Sequence, residues 1–207
     1  DANLAARLTA AYIKGFQGDT IGPGSVACMT KHFSGGGPQK EGIDPHFPIQ
    51  KGQTYPGNNF KYHLIPFEAA LKAGTAQIMP YYGVPTDQTD ENLGFAFNKE
   101  IITGLLRDKY KFDGIVCTDW GVINDAKILG MVLLPARAWG MEKATPEERI
   151  IKALNAGVDQ FGGEAVPELL VNLVKEGKIS ESRIDESVVR ILKMKFKLGL
   201  FDNPYVD

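Results

Sequence analysis

The chain has 207 residues, 43% of them hydrophobic and 23% charged, which suffices for one sizeable globular core and excludes a disordered tail. Its 23 Lys and Arg nearly cancel 25 Asp and Glu, so the electrostatic footprint of a nucleic-acid or anionic-membrane binder is missing. The longest apolar candidate, Ile128 to Leu134, stops at Pro135, far short of the ~18 residues of a membrane helix.

In chain order, residues 2 to 14 place apolar groups at helical spacing and predict a helix stopped by Gly15. The chain opens on Asp1 with neither Met nor a signal-like segment, which reads as a processed or excised piece. After a Gly/Pro turn, Ser25 to Thr30 predicts a short buried strand running into Lys31-His32-Phe33-Ser34-Gly35-Gly36-Gly37-Pro38. The polar stretch from there to Asn59 is too long for an idle connection and predicts a functional loop. Next come a helix over His63 to Ala73 closed by Gly74, a strand over Ala76 to Met79, a second loop from Pro80 to Asn92 and a helix near Lys99 to Lys109. Asp113-Gly114 introduces the clearest buried strand, Ile115 to Thr118. Ile150 to Ala156 ends another helix, and Gly157 to Phe161 makes a short strand. Pro167 to Glu176 and Glu181 to Leu198 form amphipathic helices, the latter capped by Ser182 or Asp185 at its start and by Gly199 at its end. Cys28 and Cys117 lie inside apolar runs and read as buried free thiols, which leaves the redox compartment open.

Strands separated by helices of this length imply βαβ units and a parallel sheet. About four units are visible, whereas a closed (β/α)8 barrel has eight. The fold class is therefore α/β, part of a (β/α)8 TIM-like barrel with parallel strands and outer helices. An open doubly wound sheet is the alternative, but Gly35-Gly36-Gly37 runs into Pro38 and an irregular loop, not into a helix N-terminus that would hold a phosphate.

In such folds the chemistry sits at the carboxyl ends of the strands. Three ends qualify: Lys31-His32, Tyr81-Tyr82 and Thr118-Asp119-Trp120. Asp119 follows a buried run and would emerge beside a large aromatic surface, as nucleophile, general base or metal ligand, or as the N-cap of a following helix. Trp120 is either packing or a sugar platform. Lys31 and His32 supply donors, and a lysine there is also a possible Schiff-base former. The spacing of His32, His46 and His63 matches no short zinc pattern, so no metal is expected.

Taken together, Lys31-His32-Phe33-Ser34-Gly35-Gly36-Gly37, His63-Leu64-Ile65-Pro66-Phe67, Gly114 through Gly121, and Arg183-Ile184-Asp185 through Arg190-Ile191-Leu192 to Gly199-Leu200-Phe201 resemble glycoside hydrolase family 3 in order and spacing, over nearly the whole chain. The resemblance implies that residues 1–207 are the second half of that family's N-terminal barrel domain, with the first half and an acid/base-bearing second domain outside the chain. It implies an exo-acting retaining β-glycosidase that hydrolyses terminal non-reducing β-D-glucosyl residues through a covalent glycosyl-Asp119 intermediate. A β-glucosidase is expected first, with a β-xylosidase or exo-β-glucanase as alternatives. By the same resemblance Asp119 is the nucleophile, Lys31 and His32 bind sugar hydroxyls, Tyr82 and Trp120 line the pocket, and no cofactor takes part. The implied partners are a β-linked oligosaccharide or glucoside and the remaining segments or chains of the same enzyme, with no nucleic acid and no membrane, in a secreted or periplasmic location. A non-proline cis peptide is expected at Lys31-His32 or His32-Phe33. The family's β-N-acetylhexosaminidases carry an Asp-His pair just after this block; Ser34 to Gln39 has none, which favours a glucosidase-like mechanism. Residues 127–148 form an insertion that either walls the aglycone side or packs on another domain. Two other classes remain open, a non-catalytic carbohydrate-binding or structural fragment and a metal-dependent hydrolase on the same barrel.

Overall fold

The computed structural model describes residues 1–205, and in it helix α1 (Ala2–Gln17) is tied to a parallel sheet by one side chain. Gln17 is buried; its Nε2 donates to Gly74 O at 2.8 Å, and its Oε1 accepts from the N–H groups of Cys28 and Ala76 at 2.9 Å each. This anchor carries α1 past Gly15, whose cost inside a helix is only about 1 kcal/mol against Ala, to Gly18 at φ 77°. The strand expected over Ser25 to Thr30 begins later, as β1 (Met29–Phe33). Ser25 and Val26 fold back onto the end of α1 instead, with Ser25 Oγ donating to Gln17 O at 2.5 Å and Val26 N to Phe16 O at 2.8 Å. Cys28 is consequently half-buried rather than buried; Cys117 is buried, and both are free thiols.

β1 pairs in parallel with β2 (Gln77–Pro80), and β2 with β3 (Ile115–Val116), in the order β1-β2-β3. Met29 stands opposite Gln77 and Ile78 opposite Val116. The strand expected over Gly157 to Phe161 is reduced to a single parallel bridge between Cys117 and Gln160. The cause is Asp159, whose carboxylate takes the Val116 N–H at 2.9 Å and so occupies a donor that a regular ladder would use. The same carboxylate pairs with Arg107 at 2.6 Å and Arg190 at 2.8 Å and accepts from Ser187 at 2.9 Å. One buried anion thus joins three segments to β3.

Outside the sheet lie α2 (Phe60–Lys72), a π-type helix over Glu100–Lys109, α3 (Pro146–Ala156), α4 (Pro167–Lys175) and α5 (Glu181–Lys197). Thr145 and Glu148 form a reciprocal capping box on α3, and Gly157 ends that helix in the left-handed region. The cap of α5 is Ser180, which accepts from Arg183 N at 3.2 Å, not Ser182 or Asp185. Phe33, Ile78 and Val116 from the strands share one core with Ile102, Leu106 and Ile150 from the helices. The α/β arrangement of parallel strands with flanking helices is therefore the one read from the sequence. Part of the 127–148 insertion is an antiparallel hairpin, β4 (Ala126–Ile128) with β5 (Met131–Leu134). Among the described residues no helix is long and apolar enough to cross a membrane.

Candidate active site

Asp119 leaves the sheet three residues after Val116, with its side chain 11% exposed. The Trp120 N–H donates to Oδ1 at 2.8 Å. His32 Nε2 lies 3.1 Å from Oδ2, close but off the line of a hydrogen bond, so among the described residues this buried oxygen has no aligned donor. Burial alone would raise the carboxyl; the His32 and Trp120 contacts outweigh it and hold the group below the usual carboxylate value. An ionised carboxylate with one oxygen held and the other uncommitted is suited to nucleophilic attack. It caps no helix, since the chain turns at Gly121 (φ 69°) and enters a loop.

Lys31 and His32 lie within β1 rather than beyond it. The expected non-proline cis peptide is present at Lys31-His32, and another occurs at Phe33-Ser34. His32 is brought to Asp119, with its ring centroid 5.6 Å from that of Tyr81. Lys31 is not: it is exposed, borders the groove between α1 and β1, and has no carboxylate within 4.0 Å among the described residues. Tyr82 is buried at the end of β2, and its hydroxyl donates to Trp120 O at 2.5 Å. Burial, then the neighbouring Asp119 charge, push its hydroxyl pKa up, so the phenol stays a donor. Trp120 is 65% exposed, seated against Gly163, where a Cβ would come within 2.4 Å of the ring.

Two segments complete the rim. In the loop after β1, Gln53 donates to Gly35 O at 2.9 Å, and Gln39 Nε2 donates to the Tyr81 hydroxyl at 2.5 Å. Farther along, the Asp44 carboxylate accepts from the His46 N–H at 3.0 Å and meets His46 Nδ1 at 2.5 Å. Burial raises the Asp44 carboxyl, but the His46 contacts lower it more. The His46 ring stands edge-on to Tyr82 at 4.7 Å. The Asp-His pair missing from Ser34 to Gln39 thus occurs a few residues later, which removes the ground for excluding it; the Asp44-Pro45-His46 turn signal was legible in the sequence. The second segment follows β5, where Trp139 Nε1 donates to Pro45 O at 2.7 Å and Arg137 N to Gly121 O at 2.8 Å. These contacts fold the insertion back onto the site. Among the described residues no three His, Cys, Asp or Glu side chains gather to hold a metal ion.

The model of the glycosyl hydrolase family 3 N-terminal domain matches residues 1–194. The chain is 58% identical over 207 residues to the probable beta-glucosidase C of Aspergillus oryzae, covering all of this chain and 32% of that protein. It is 40% identical to the periplasmic beta-glucosidase/beta-xylosidase of Dickeya chrysanthemi, covering 100% of this chain and 34% of that one. The crystal structure of the Listeria innocua beta-glucosidase with isofagomine superimposes with a TM-score of 0.78 at 26% identity, over 99% of this chain and 27% of that one. The chain therefore spans about a third of the length of the relatives it matches.

Proposed function

The chain belongs to glycosyl hydrolase family 3, and on that premise we propose that it carries the nucleophile half of an exo-acting retaining β-glucosidase. The observation that carries the reading is the Asp119 carboxylate, ionised, nearly enclosed, and free of an aligned donor at Oδ2. In the first step an Asp119 oxygen forms a bond to the anomeric carbon while the bond from that carbon to the leaving oxygen breaks and an acid gives that oxygen its proton. In the second, water attacks the same carbon, the acid's conjugate base takes the water's proton, and the Asp119 ester is released. His32 and Tyr82 hold the site's geometry and Trp120 offers an open aromatic face to the sugar, while Lys31, on the groove between α1 and β1, takes no part in this reading.

The proton donor is assigned to a segment of the same protein outside these 207 residues, which supplies the rest of the barrel and a second domain. A second reading places that proton on His46, favoured by its bond to Asp44 and its contact with Tyr82. Leaving groups separate the two. If His46 is the donor, His46→Phe slows alkyl glucosides strongly and spares dinitrophenyl glucosides, whose departure needs no proton. A β-xylosidase activity is the nearest alternative, in line with the double name of the Dickeya relative. That name also supports a periplasmic or secreted location.

The test is made on the complete protein that contains this chain. A 2-deoxy-2-fluoro-β-glucosyl fluoride should leave a stable glycosyl ester that peptide mapping places on Asp119, and Asp119→Ala should abolish turnover of aryl β-glucosides until azide is added. A label on another residue, or an Asp119→Ala protein with substantial unassisted activity, overturns the assignment. A protein that binds glucosides but never turns them over is the non-catalytic alternative.

A further inference from the structure

Arg137 differs from the other buried and half-buried arginines of the described chain. Arg107 and Arg190 pair with Asp159, Arg183 bonds Ser187 and two carbonyls, and Arg149 bonds three carbonyls. Arg137 is half-buried, yet among the described residues its side chain makes one long bond, Nε to His46 O at 3.4 Å, and both terminal nitrogens lack a partner. Its guanidinium carbon lies 5.7 Å from the centre of the Tyr82 ring, and Nη1 lies 2.9 Å from where a Cβ on Gly121 would stand. The backbone holds it there, through Arg137 N to Gly121 O and Trp139 Nε1 to Pro45 O. Four N–H donors in a planar fork, partly withdrawn from water and unmatched by a carboxylate, call for a ligand with paired acceptors. They lie beside Tyr82 and Gly121, the residue that follows Trp120, whose indole is largely exposed.

Resting on the reading of the site as a retaining β-glucosidase, we infer that Arg137 is a specificity-determining residue for the leaving group, donating to adjacent hydroxyls of a second sugar ring that packs on Trp120. The insertion would then select glycosyl leaving groups over plain alkyl ones. A site built to donate to hydroxyls discriminates strongly against a ligand that lacks them.

The experiment compares kcat/KM, which reports the step that expels the leaving group, for laminaribiose and methyl β-glucoside on the complete protein. Both need the same protonation, but only the disaccharide brings the extra hydroxyls. Arg137→Met should lower kcat/KM for laminaribiose by about tenfold or more and leave methyl β-glucoside within about threefold. Arg137→Lys, which keeps most of the length and a donor but loses the planar fork, should fall between wild type and Arg137→Met, and serves if Arg137→Met does not fold. Equal losses on both substrates, or no loss on either, overturn the inference. If the wild-type protein cleaves neither substrate, the β-glucosidase reading itself has failed.

Discussion

His32 Nε2 and Asp119 Oδ2 stand 3.1 Å apart although they come from β1 and from the end of β3, with β2 between them. The contact offsets the burial of Asp119 and is a main reason its carboxyl lies below the ordinary 3.8. A lowered carboxyl pKa stabilises the folded state above the unfolded value, and that contribution is lost as pH falls through the folded value. It also keeps the carboxylate proposed as nucleophile charged across the neutral range. In His32→Ala the burial remains and the compensating contact does not, so the acid limb of the kcat/KM profile should move to higher pH. A limb that stays put or moves lower would show that His32 does not govern Asp119.

Asp159 gives the largest stability prediction. Its carboxylate is fully buried and holds Arg107, Arg190, Ser187 and the Val116 N–H together. Asp159→Ala leaves two guanidinium groups in the interior without their anion, a change that typically costs about 3–5 kcal/mol. Urea unfolding of the complete protein should show that loss in the transition that includes this domain. A change under about 1 kcal/mol would mean that water replaces the carboxylate without penalty.

Gly163 sets the seat of Trp120. Its φ is 66°, and a Cβ there would come within 2.4 Å of the indole ring. Gly163→Ala should therefore destabilise by about 1–3 kcal/mol through overpacking, tilt Trp120, and alter its fluorescence. Trp139, buried at the other segment, reports the background, so the comparison with Gly163→Ala/Trp120→Phe isolates the Trp120 signal. An unchanged Trp120 emission with unchanged stability would contradict this packing.

Period and punctuation made much of this molecule legible before its structure. The helix over residues 63–73, the strand ending at Met79 and the strand at Ile115 follow from buried runs bounded by glycine, and the structure places them within a few residues. Asp119 was readable because a run of four buried residues, Ile115 to Thr118, delivers it to a strand end. The fourth strand was not readable as a single bridge, because the apolar pattern of Gly157 to Phe161 does not show that Asp159 will take a backbone donor from β3. The start of β1 was misplaced for a similar reason, since nothing local reveals that Ser25 and Val26 bond to the end of α1. Arg137, and the place of His46 against Tyr82, could not be read, because their approach depends on two long loops meeting, 91 positions apart in sequence.

Trp139 is where those loops meet. The ring is almost wholly buried, Nε1 donates to Pro45 O at 2.7 Å, and the Lys51 ammonium lies 4.6 Å from the ring centre. Trp139→Phe keeps an aromatic ring but removes the only donor that reaches this carbonyl among the described residues, leaving a buried acceptor unmatched at a cost of about 1–3 kcal/mol. Because Pro45 sits between Asp44 and His46, the loss should loosen the segment that carries His46 against Tyr82. Trypsin should cut faster after Lys40 and Lys51 in the Trp139→Phe protein than in wild type under native conditions, since cleavage of a folded loop tracks its local opening. Equal cleavage rates would mean that the loop is held by its other contacts, among them those of Gln39, Gln53 and Lys51, and that the Trp139 bond contributes nothing to the position of His46.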